Sequence, residues 1–414
     1  MDIKITPSNL SGKVYAPPSK SYAHRYIIAS FLSKTNGFIS NCKPSKDVLA
    51  TLNALKNLGI DYLFDKGGLK ITKGKSVNNP ILDCDESGST LRFLIPIASA
   101  LGVKCEFIGS KRLMERPTKD LLDCLNENGA NIDGLTLNGK LKSGKFTING
   151  SVSSQFISGL LFALPLLDGD SNLEIIGERV SQNYIDITLD VLKDFGVLIE
   201  KTSNGYFIKG NQTYKMPKVM SVEGDYSNSA FLLAMGVLGE GVTVLNLNKN
   251  SKQGDKKIIQ ILKDFGGIVE EVEDGYFVKK GELKGITVDC EDVPDIVQIL
   301  SVVASFANGK STFKSVNRLE IKESNRVLGI INNLKIAGVK AEYDGKDLTV
   351  YGSKKIDYGT FNGDNDHRTV MSAVVLSAFS NGKSVIKGAE AVNKSYPTFF
   401  DDFRSLGGIT DGDI

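Results

Sequence analysis

The chain has 414 residues, 41% hydrophobic and 24% charged, with a formal net charge of +2. That length accommodates two or three globular domains, and so small a net charge gives no global field for nucleic acid or a membrane surface, so positive charge matters only where it clusters. Five cysteines without a CxxC pair and only two histidines leave no zinc site of ordinary spacing and suit reduced thiols in the cytoplasm.

Residues 1–5 alternate like a strand and carry no targeting pattern. The longest apolar runs, such as residues 156–167 with Pro165 inside, fall short of a membrane span. Next comes Pro17-Pro18-Ser19-Lys20-Ser21-Tyr22-Ala23-His24-Arg25, followed by an apolar run that reads as a buried helix. Ser19 is its expected N-cap, which puts Lys20, Ser21 and Arg25 in or beside the first turns. The free N–H groups and dipole of a helix start already favour an anion, and cations there run against the usual preference for Asp and Glu. His24 is read as structural.

Further along, a helical stretch ending in Leu or Phe with Gly four residues later recurs at Leu55/Gly59, Leu125/Gly129, Leu192/Gly196, Leu262/Gly266, Leu334/Gly338 and Phe403/Gly407, about 70 residues apart. Each glycine is expected to end a helix in the left-handed conformation and feed a strand. On the same period a nearly all-apolar helix begins with a polar turn, around Lys20, Ser87, Ser153, Asp225, Asp295 and Asp366. Helices apolar all round must be buried. Amphipathic helices open the second half of each unit, several behind charged starts such as Arg116-Pro117, Ser181 and Lys322-Glu323-Ser324-Asn325-Arg326. The reading is an α/β protein of two similar domains, each of three β-α-β-α-β-β units with buried helices. The halves part near residues 216–224, where Pro217 interrupts the pattern.

Eight cations sit at helix starts or in these short motifs: Lys20, Arg25, Arg92, Arg116, Lys322, Arg326, Arg368 and Lys394. On a nearly neutral chain they imply small, highly anionic ligands, since arginine forks match carboxylate and phosphate. Ser21, Ser153, Ser154, Gln155 and Ser181 supply neutral donors, and Asp295 and Glu323 are suited to proton transfer. No GxxxxGK[ST] loop and no HExxH is present, so metal-dependent phosphoryl transfer and hydride transfer lack their usual parts. Acid/base chemistry on substrates bearing phosphate and carboxylate remains.

Together the motifs Ser19-Lys20-Ser21 with Arg25, Glu86-Ser87-Gly88-Ser89-Thr90-Leu91-Arg92, Glu115-Arg116-Pro117, Ser153-Ser154-Gln155, Tyr184-Ile185-Asp186, Lys322-Glu323-Ser324, Asp366-His367-Arg368 and Lys394-Ser395-Tyr396-Pro397 resemble, in order and spacing, the 5-enolpyruvylshikimate-3-phosphate synthase family. The resemblance implies an inside-out α/β barrel in each half, the domains being residues 14–221 and residues 1–13 with 222–414, and an active site in the cleft between them. It implies metal-free and cofactor-free transfer of the enolpyruvyl group of phosphoenolpyruvate to the 5-hydroxyl of shikimate 3-phosphate. By motif, Lys20, Ser21, Arg25, Ser153, Ser154, Gln155, Ser181, Asp295 and Lys322 would hold shikimate 3-phosphate, and Lys20, Gly88, Arg116, Gln155, Arg326, Arg368 and Lys394 would hold phosphoenolpyruvate. Asp295 would be the base at the 5-hydroxyl, Glu323 the acid at the methylene carbon, and Lys20 would serve catalysis through contact with both ligands. A cytoplasmic monomer is expected, with no nucleic-acid or membrane partner. The rival acceptor is UDP-N-acetylglucosamine, but the sister transferase carries a mobile-loop cysteine that has no counterpart at residues 110–116.

Overall fold

The structure, a computed structural model, describes residues 1–178 and 181–412. The chain forms two compact units, one of Pro18–Val222 and the other of Met1–Pro17 with Glu223–Ile414. The N-terminus supplies two strands, β1 (Asp2–Thr6) and β2 (Ser11–Tyr15), to the second of these.

In Pro18–Val222 the first repeat runs α1 (Lys20–Ser33), strand Gly37–Ser40, α2 (Lys46–Asn57) and the hairpin Ile60–Asp65 and Gly68–Lys73. The second runs Ile81–Asp83, α3 (Gly88–Leu101), Cys105–Ile108, α4 (Lys111–Met114), α5 (Lys119–Glu127) and the short pair Ile132–Asp133 and Thr136–Leu137. The third runs Lys145–Asn149, α6 (Ser154–Ala163), Ser171–Ile176, α7 (Gln182–Asp194), Ile199–Lys201 and Gly205–Ile208. The other unit repeats the order. Its helices are α8 (Tyr226–Leu238) and α9 (Ile258–Asp264), then α10 (Val297–Ser305) and α11 (Arg326–Ile336), then α12 (His367–Ala378) and α13 (Phe399–Ser405).

Each four-stranded sheet has one topology: two parallel strands joined across a helix, then the second strand of the hairpin, then the first. The N-terminal strands fill two gaps in this scheme. β2 lies parallel to Gly241–Leu245 as the opening strand of the fourth repeat, and β1 lies antiparallel between Ser384–Lys387 and Ile409–Asp411 as the closing strand of the sixth. The first repeat, which has no opening strand of its own, receives instead a parallel bridge from Ser221 to Ser40. An expected boundary at 13/14 would cut β2. The strand stays whole, so residues 14–17 go with the C-terminal half.

All six repeat glycines have positive φ, from 72° at Gly338 to 114° at Gly59, as a helix-ending left-handed residue requires. The opening helices are buried as their composition demands, α3 leaving only Ser89 and Leu101 outside the buried class. Each unit has its own hydrophobic core. Pro96 inside α3 has no N–H to give the Arg92 carbonyl. Helix α6 approaches there: a Cβ added at Gly159 would stand 2.5 Å from the Arg92 oxygen and 2.8 Å from Pro96 Cγ. Gly159→Ala must therefore push α6 off α3, and we expect a loss of about 1–3 kcal/mol in chemical denaturation. An unchanged midpoint would show that the two helices can separate freely.

Candidate active site

The residues expected from sequence fall partly at the polar starts of the buried helices and partly at the segments leading into α5, α7 and α11 and at the end of a 3-10 helix, Ala389–Lys394. In Pro18–Val222, Lys20 opens α1 and its Nζ lies 2.8 Å from Asp47 Oδ2 in the first turn of α2. Ser19 occupies the N-cap position, yet its hydroxyl makes no cap bond and is buried without a partner. That corrects the capping role expected of it. Ser21 follows, and its carbonyl accepts from Arg25 Nη1 at 2.8 Å.

Arg25 is 3% exposed, and the oxygens it donates to are all neutral: Thr188 Oγ1 at 2.7 Å, the Tyr184 carbonyl at 2.9 Å and Ser158 Oγ at 3.5 Å, besides Ser21. It ties α1 to α6 and α7 and leaves little of its fork for a ligand. Burial lowers its pKa to about 10, still charged at neutral pH.

Ser87 caps α3 through the Thr90 N–H. At Gly88 a Cβ would stand 2.7 Å from Arg116 Nη1, so the missing side chain is what admits the guanidinium. Arg116 Nε is buried without a hydrogen-bond partner. Ser153 caps α6 through the Gln155 N–H, with Ser154 beside it, both buried. Gln155 accepts from Arg92 at 2.8 Å and donates to Ser89 at 2.9 Å, joining the starts of α3 and α6. Ser181, before α7, is 3% exposed and sits at φ 55°, an uncommon conformation for a serine.

In the other unit the charges alternate. Asp295 lies in a short 3-10 turn (Pro294–Ile296) ahead of α10 rather than at its N-cap. Its Oδ1 is 2.8 Å from Arg326 Nη1, 3.6 Å from Lys322 Nζ and 3.6 Å from Arg368 Nε, while its carbonyl accepts from Arg368 Nη1 at 2.9 Å. Arg326, 1% exposed, also meets Glu323 at 2.9 Å and Asp366 at 2.8 Å. Three carboxylates thus converge on one guanidinium, and three cations on one of those carboxylates. Burial works against the charge on Arg326, but Asp366, Glu323 and Asp295 outweigh it and hold its pKa above the usual value. Burial also works against the Asp366 carboxylate, and Arg326 wins there, holding its pKa below the usual range. Asp366 caps α12 through the Arg368 N–H at 2.9 Å. Lys394 is 5% exposed and donates to the Asn365 carbonyl.

The acids expected among the cationic motifs are thus in direct contact with them. Lys322, Arg326 and Arg368 are matched by Asp295 and Glu323, which the sequence sets among the cationic motifs, and by Asp366, which the sequence marks only as a helix start. Sequence reasoning also missed Asp47 and Asp255. Asp255 is 3% exposed, accepts from Ser227 Oγ, and is pushed up to about 7 by burial first and then by the charge of Asp295, with Arg368 pulling the other way. No local pattern marks either aspartate, because each acquires its meaning only from a partner at least 27 positions away.

A family model described as EPSP synthase (3-phosphoshikimate 1-carboxyvinyltransferase) matches residues 5–403. A 3-phosphoshikimate 1-carboxyvinyltransferase of Clostridium kluyveri is 42% identical, covering 99% of this chain and 98% of that one. One from Clostridium perfringens is 41% identical over 99% of both chains. Among solved structures, an EPSP synthase from Acinetobacter baumannii superposes with a TM-score of 0.83 at 23% identity, covering 99% of this chain and 100% of that one. The enolpyruvyl transferase NikO of Streptomyces tendae gives 0.79 at 14% identity, covering 99% and 98%. At such identities these two structures speak to the fold alone.

Proposed function

This chain belongs to the EPSP synthase family, and from that premise we propose that it transfers the enolpyruvyl group of phosphoenolpyruvate to the 5-hydroxyl of shikimate 3-phosphate. The observation that carries the site assignment is the network on Asp295, which sets a carboxylate within 3.6 Å of three cations and puts Glu323 on the same arginine. In the proposed sequence Asp295 takes the 5-hydroxyl proton as that oxygen attacks C2 of the enol. Glu323 protonates the methylene carbon, forming a tetrahedral intermediate. Glu323, left ionised, takes a methyl proton back as the C–O bond to phosphate breaks, which restores the double bond, and phosphate departs with the proton that Asp295 took from the hydroxyl. Lys20, Arg116, Lys322, Arg326, Arg368 and Lys394 are the proposed holders of the anionic groups. Bound anions would offset the cations around Asp295 and so make it a better base than in the free protein.

Ser21, Ser153, Ser154, Gln155 and Ser181 orient the sugar-like acceptor, Arg25 adds to them only the second N–H of Nη1, its other donors being spent on the protein, and Gly88 leaves room for Arg116. The reaction as proposed needs neither metal nor cofactor, and the chain acts as a cytoplasmic monomer. Among the described residues no helix is long and apolar enough to cross a membrane. The test is phosphate release from phosphoenolpyruvate with shikimate 3-phosphate, with UDP-N-acetylglucosamine and with no acceptor. Release only with the second acceptor, or with none, would overturn the reading.

A pH effect follows from Lys322. Burial foremost lowers its pKa to about 8, against the pull of Asp295. Its ammonium form is the one that binds an anion, so kcat/KM for shikimate 3-phosphate should fall above about pH 8, and Lys322→Arg should remove that limb because a guanidinium stays charged. The sign for stability is opposite. The folded value lies below the ordinary lysine value of about 10.4, so the unfolded chain binds more protons in between, and this group's contribution to stability rises as pH climbs from about 8.

A further inference from the structure

Four buried polar side chains that the proposed chemistry does not use form a continuous chain inside Pro18–Val222. His24 Nδ1 lies 2.7 Å from Thr51 Oγ1, Thr51 Oγ1 lies 2.7 Å from Thr90 Oγ1, and Thr90 Oγ1 donates to Ser87 Oγ at 2.7 Å. Their exposures are 1%, 0%, 0% and 1%, so water does not compete for these bonds. The chain joins three helix starts: His24 stands one turn after Lys20 on α1, Thr51 one turn after Asp47 on α2, and Ser87 caps α3 next to Gly88.

A hydroxyl has one proton to donate. Thr90 gives its own to Ser87, so it must accept from Thr51. Thr51 has then used its proton on Thr90 in preference to the longer 3.4 Å contact with the Asp47 carbonyl, and it must accept from His24. The imidazole is therefore protonated at Nδ1. Nε2 is buried without a partner, where a bare lone pair is the cheaper orphan than an N–H. Burial, then Lys20 and Arg25, keep the ring neutral, its pKa well below the usual histidine value.

We propose that His24, as the neutral Nδ1–H tautomer, is a positioning residue that aligns the starts of α1, α2 and α3, and with them the Lys20–Asp47 pair and the Gly88–Arg116 contact. The inference rests on the transferase reading for the importance of Lys20, Gly88 and Arg116, and on the hydrogen-bond count for the tautomer. The ring touches no reacting atom and moves no proton during turnover.

The test uses the full chain labelled with 15N-histidine. With only two histidines, His24→Asn assigns the His24 signals. A long-range 15N–1H correlation spectrum should show the Nδ1–H tautomer. The Nε2–H tautomer or an imidazolium at neutral pH would overturn the inference, whatever the assay of the wild-type chain shows. For activity, His24→Leu and Thr90→Val should each lower kcat/KM for both substrates on the order of 10²-fold through misplacement of the binding groups. His24→Asn, whose amide N–H can stand in for Nδ1–H, should keep kcat/KM within several-fold of wild type. A purely structural role would lower the melting temperature of His24→Leu and leave kcat/KM of the folded protein unchanged, and that result would sink the proposal. Should His24→Leu fail to fold, Thr90→Val and His24→Asn carry the same comparison. A wild-type chain that released no phosphate would defeat the transferase reading, while the spectrum would still decide the tautomer.

Discussion

Arg326→Met is expected to destabilise its unit by about 3–5 kcal/mol, the range for removing one partner of a buried ion pair. The arginine is 1% exposed and stands between Asp366, fully buried, and the less buried Asp295 and Glu323. Without it Asp366 keeps its cap bond to Arg368 but loses the cation that holds its charge. The pH dependence identifies the cause. In the wild-type chain the Asp366 pKa is depressed, so its contribution is present above the unfolded carboxyl value of about 3.9 and is lost as pH falls through the folded value. In the variant, burial without Arg326 raises that pKa, so acidification relieves the buried charge. Denaturant unfolding at neutral and acidic pH should show the gap between the two proteins narrowing in acid. A gap independent of pH would mean that lost packing, not the charge, accounts for the difference.

Asp295→Asn is expected to leave the fold in place and lower turnover by about 10²- to 10⁴-fold, the usual contribution of a general base. The amide keeps the shape of the carboxylate, and the backbone carbonyl that receives Arg368 is untouched. Removing one negative charge from among Lys322, Arg326 and Arg368 should at the same time favour anion binding, so calorimetric affinity for shikimate 3-phosphate should hold or tighten while single-turnover rates collapse. Turnover near the wild-type rate would remove Asp295 from the chemistry. Weakened binding with normal single turnover would make it an orienting group.

Much of the architecture was legible along the chain because it is written in short-range terms. A left-handed glycine after a helix is a local steric requirement, and all six repeat glycines meet it. Helices apolar on every side have to be buried, and α3, α8 and α12 are. Cations at helix starts were equally visible, because they contradict the local rule for a first turn. Ser19 shows the limit of such rules, since a favoured capping residue in the capping position makes no cap bond.

What local pattern could not settle was which strand closes which sheet and which charge meets which. Strand β1 alternates like many edge strands, and nothing in its five residues says that Ile3 will lie opposite Ile386. The carboxylates on Arg326 come from positions 295, 323 and 366, and the chain from His24 to Ser87 crosses three helices. The repeat, the buried helices and the basic helix starts were determined by the sequence alone, because propensity, burial and glycine sterics act over a few residues. Pairing of strands, neutralisation of charge and the direction of a buried hydrogen-bond chain were decided by the tertiary structure, because each depends on distances of a few ångströms between groups tens to hundreds of positions apart.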